Sequence, residues 1–199
     1  SSLNKEISEL NYILNIISET VTGEKEEFEV KTISSSEFLL YVLVSLSVGK
    51  VIGEVVERII NNYKTILEIK KLRNELKSQG VPDKDTKGIE QHANSLMESE
   101  IKKIGDYIFK TYGQNTDATR TNELKNGFTI ALNKIANRID YGFNIDVRVK
   151  ELPESTEENN AEIEIINSIK EKSKTLEFIN TSGQPILQLR ETEEIKKAK

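Results

Sequence analysis

Leu3, Ile7, Leu10, Leu14, Ile17 and Val21 recur at alternating steps of four and three residues, and Ile13 and Ile16 widen the stripe. That period predicts an amphipathic helix over residues 3–21, with Ser2 as its N-cap and Gly23 as its stop. The widened stripe favours packing onto a body over a bare two-stranded seam. Leu3, Ile7, Leu10, Leu14 and Ile17 are also the residues through which such a helix would meet a second chain.

The period then shortens. Phe28, Val30 and Thr32 alternate with Glu27, Glu29 and Lys31, which predicts a strand over 26–33 with one wet face. A serine cluster, Ser34 to Ser36, opens onto an apolar run from Phe38 to Gly49. No proline separates this run from Ile52, Val56, Ile59, Tyr63 and Ile66, which keep helical spacing, with Leu72 and Leu76 extending the line. The expectation is one nearly continuous helix over 37–79, its first half deeply buried, ending at Gly80.

Two further helices are predicted. One, over 86–112, carries Ile89, Ala93, Leu96, Ile104 and Ile108; the other, over 119–140, carries Leu124, Phe128, Ala131, Leu132, Ile135 and Ile139. Phe143, Ile145, Val147 and Val149 then alternate with polar residues, the strongest two-residue period in the chain, and predict a strand over 143–150 that pairs with 26–33. Residues 151–164 are acidic, with no Lys or Arg. Residues 151–156 read as a linker, with Ser155 and Glu158 able to form a capping box for a helix carrying Ile163, Ile166 and Ile169. Leu176 to Phe178 and Ile186 to Leu189 flank a Gly183-containing turn and predict a β-hairpin.

The expected fold is therefore α+β and predominantly helical: a helical layer against a small sheet that includes 26–33 and 143–150. Residues 1–150 form the main domain, 157–192 a helix-and-hairpin subdomain, and 193–199 a tail.

Composition narrows the function more than it defines it. The 199 residues are 36% hydrophobic and 31% charged, with three prolines, no Trp and a formal charge of −5. This describes a well-solvated surface around an aliphatic core, and the negative balance argues against general affinity for nucleic acid. Lys64, Lys70, Lys71, Arg73 and Lys77 give the later part of the long helix a basic bias, which reads as a solvated, salt-bridged face. The absence of cysteine removes disulfides, thiolate metal sites and thiol nucleophiles. With no leader-like segment the expected compartment is the cytoplasm. Heavy use of Ile, Lys, Asn and Glu points to an AT-rich bacterial or viral genome.

No catalytic, cofactor or metal motif is complete, and no cofactor is expected. The single histidine, His92, lies mid-helix among Glu90, Gln91 and Asn94 and reads as solvent-facing. Residues 83–94 match a calcium loop at three positions, but Lys87 and Asn94 stand where oxygen ligands are required. Ser45, Gly49 and Gly53 form a small-residue ridge suited to close helix packing or, in a bilayer, to a partner helix. Lys50 and Glu54 interrupt the roughly 20 apolar residues that a span needs.

The expectation is a non-catalytic interaction or assembly protein that binds itself or a protein partner. The alternative is a membrane-acting, toxin-like or defence effector using residues 37–56. A third reading, a carboxylate-dependent hydrolase, requires Asp106, Asp140 or Asp146 to converge.

Overall fold

The computed structural model describes residues 2–34, 39–114, 117–148, 160–175, 181 and 183–193. Among these residues five helices make up the body: α1 (Ser2–Thr22), α2 (Leu46–Ser78), α3 (Asp83–Tyr112), α4 (Ala118–Asp140) and α5 (Asn160–Thr175). The protein is a helical fold, which corrects the α+β expectation. Its only strands among the described residues are β1 (Glu29–Ser34) and β2 (Leu39–Leu43), a local antiparallel hairpin whose strands pair with each other and with no third strand. Among the described residues no helical layer rests on a sheet.

Three expectations fail for identifiable reasons. The long helix over 37–79 begins only at Leu46, because Ser45 adopts an extended N-cap conformation (φ −64°, ψ 159°). Leu39 to Leu43 form β2 instead, since an apolar run alone does not distinguish strand from helix and β1 lies close by in sequence to pair with it. Residues 143–148 form no strand, so 26–33 does not pair with 143–150; positions 149–150 lie outside the described residues. Ile145 and Val147 are half-buried and Phe143 is exposed, so the two-residue period marks an extended segment laid one side down. Lastly, Ile186 to Leu189 is not a hairpin strand, while Leu176 to Phe178, the 151–156 linker and the Ser155–Glu158 box fall outside the described residues.

α4 is the centre of the body. Phe128, Ala131, Leu132, Ile135, Ala136 and Ile139 are buried along it, and residues on almost every side of its second half are covered. Asp117 caps its start by accepting from the Arg120 main-chain N–H. α1 packs on α4, where Gly127 allows a close approach: a Cβ there would lie 2.9 Å from Ile16 Cδ1. Along the same contact Glu6, Glu9 and Glu19 pair with Arg138, Lys134 and Arg120. α2 packs on α3 and α5, and Val48, Val51, Val55, Val56, Ile59, Tyr63 and Ile66 carry it into the shared core.

Candidate functional site

The polar chemistry of this protein lies inside it. On α2 the spacing Ile59, Tyr63, Ile66 runs on in register to Lys70 and Arg73, and both of these are buried. On α4 the buried face likewise ends in Asn133, Asn137 and Asp140. On α3, Glu90 and Asn94 are half-buried one turn apart. These three polar ends converge on one object, the extended segment 184–190.

That segment lies in the core. Ile186, Leu187 and Leu189 are almost fully buried and belong to the same apolar cluster as the helices. Ile186, Leu187 and Leu189 are buried while Gln188 and Arg190 are exposed, so the segment lies as a strap with its apolar side chains inward and its polar ones at the surface. Pro185 and the residue before it disfavour helix, and Gly183 enters at φ +83°. A buried extended chain must satisfy its main-chain N–H and C=O groups, yet the surrounding helices have used theirs internally. Side chains supply the partners instead.

Every residue from Gln184 to Arg190 is held at its main chain. Arg73 donates to the carbonyls of Gln184 and Pro185. Asp140 Oδ2 accepts from the N–H groups of Ile186 (2.6 Å) and Leu187 (2.7 Å). Asn94 donates to Ile186 O (3.2 Å) and accepts from Gln188 N–H (2.7 Å), bracketing one residue as a parallel strand would. Asn137 donates to Leu189 O (2.9 Å) and accepts from Leu189 N–H (3.1 Å), the two-bond exchange of an antiparallel pair. Asn133 donates to Arg190 O (2.7 Å). Asparagine suits this task because its side-chain amide carries the same donor and acceptor as a peptide group.

The charges in the groove are balanced. Asp140 Oδ1 accepts from Lys70 Nζ (2.9 Å) and from the Tyr63 hydroxyl, and Lys70 also donates to the Asp140 carbonyl (3.2 Å). Arg73 pairs with Glu90 (3.2 Å), which also meets Lys77 (3.3 Å). Burial, then the hydrogen bond to Asp140, pushes the Tyr63 phenol well above its ordinary pKa, so it stays a donor. Both oxygens of Asp140 are thus occupied twice over. Asn133 Oδ1 is buried and without a hydrogen-bond partner among the described residues.

A second polar contact ties the far end of α3 to α2. The Tyr112 hydroxyl donates to Glu54 Oε1 (2.8 Å), and burial, then this bond, raises the Tyr112 pKa. Arg58 lies 3.9 Å from the centre of the Tyr107 ring beside it.

The residues singled out from the sequence are dispersed. Leu14 and Ile17 are committed to the core of this chain, while Leu3, Ile7 and Leu10 are half-buried on the first turns of α1. Ser45 stands at the N-cap position of α2, where its hydroxyl makes no capping bond and donates to Glu26 (2.9 Å); Gly49 is buried where a Cβ would lie 3.8 Å from Ile169 Cδ1 of α5, and Gly53 is buried beside it. No helix among the described residues is long and apolar enough to cross a membrane. Asp106 is exposed, Asp146 pairs with Arg148 (2.6 Å), and Asp140 is enclosed in the groove. Residues 83–94 are the first turns of α3, not a loop, and His92 is exposed. The described residues hold no cluster of three His, Asp or Glu side chains that could bind a metal ion.

The basic stripe misled in an instructive way. Leu72, offered by the sequence as core, is 52% exposed, while Lys70 and Arg73 are buried. The legible signal was the unbroken four-three spacing from Ile59 to Arg73, which overrides residue type when a partner waits inside.

The fold and this groove together describe a helical body that grips an extended polypeptide segment by its main chain. Comparison with known proteins gives no match to a family model, a curated protein or a solved structure.

Proposed function

We propose that this chain is a non-catalytic interaction protein of the cytoplasm, acting through self-association or a protein partner. The observation that carries the reading is the residue-by-residue hold of three helices on the main chain of 184–190. Side chains that read a peptide backbone are suited to polypeptide, because they engage groups that every extended segment presents. Asp140, the most enclosed of the candidate acids, has both oxygens engaged by Lys70, Tyr63 and the segment, so it serves as a structural anchor.

Sedimentation velocity over a wide concentration range, with and without anionic liposomes, tests this reading. Mass above the monomer that grows with concentration and ignores liposomes is the expected result. A chain that stays monomeric at every concentration, alone and in an extract of its source cell, sinks the reading; co-flotation with liposomes sinks it in favour of membrane action.

A further inference from the structure

We draw no further inference here: the strongest candidate, the antiparallel hairpin of β1 and β2, whose strands pair only with each other among the described residues, carries nothing because nothing in the structure shows what covers its outer edges.

Discussion

Lys70→Met isolates the interaction at the centre of the groove. Lys70 and Asp140 are both almost wholly buried, with Nζ 2.9 Å from Oδ1. Removing one partner of a buried ion pair costs about 3–5 kcal/mol, because the other charge is left uncompensated. Here the carboxylate would keep the Tyr63 hydroxyl and two strap N–H groups, so the lower end, about 3 kcal/mol, is expected. Asp140→Asn leaves the ammonium with one main-chain carbonyl and weakens acceptance from the strap, and should cost about 4 kcal/mol. Combining the two removes both charges from the interior, so the double variant should be at least about 2 kcal/mol more stable than the sum of the single losses predicts. Urea unfolding followed by circular dichroism reads these values; with a slope of about 1–3 kcal/mol/M, a loss of 3 kcal/mol moves the midpoint by about 1–3 M. Single variants that each cost less than about 1 kcal/mol, or a strictly additive pair, would refute the buried, coupled arrangement.

Four further outcomes follow from the same structure. Leu72→Asp, on the exposed side of α2, should change stability by no more than about 0.5 kcal/mol; a large loss on unfolding would return Leu72 to the core. Gly183→Ala should cost more than Gly80→Ala in thermal unfolding. Both glycines have positive φ, but a Cβ at 183 would lie 2.5 Å from Asn74 Nδ2 while that at 80 meets open space, so equal losses would count against the strap's entry geometry. Gly127→Leu should cost about 1–3 kcal/mol by forcing α1 off α4, and tolerance there would contradict their close approach. Finally, Tyr63 and Tyr112 have pKa values raised above the ordinary 10.0, so the stability they contribute is fully present below pH 10 and is lost as pH rises beyond it. In an alkaline titration their phenolate absorbance should therefore appear with unfolding; smooth ionisation of all six tyrosines in the folded protein would contradict their burial.

The helices were legible because their apolar spacing is set by local geometry. Ser2–Thr22, Asp83–Tyr112 and Ala118–Asp140 lie where the four-three periods of Leu3 to Val21, Ile89 to Ile108 and Leu124 to Ile139 place them. The sheet was misread because pairing is not local. The alternation at Phe143 to Val149 says that one side is buried and cannot say whether a strand or a helix covers it. Likewise Leu39 to Leu43 could be buried in either conformation, and the nearness of β1 decided the outcome. The groove was harder still. Asn94, Asn133, Asn137 and Asp140 look like solvated positions, and their burial depends on a segment dozens of residues away in sequence that must arrive with unsatisfied main-chain groups. What could have been read is the coincidence of Ile186-Leu187-x-Leu189, a short apolar run outside any helix, with buried-register polar residues at the ends of three helical stripes.

The central claim is that side chains replace a neighbouring strand in holding residues 184–190. Amide hydrogen exchange measured residue by residue tests it most directly. Among the described residues the N–H groups of Ile186, Leu187, Gln188 and Leu189 donate to Asp140, Asn94 and Asn137, outside any helix or sheet ladder. They should exchange as slowly as the core amides of α4 around Ala131 to Ile135, because both open only with the body of the protein. Exchange of these four amides at the rate of exposed chain, with α4 still protected, would show that the strap is not seated and that the groove does not grip polypeptide.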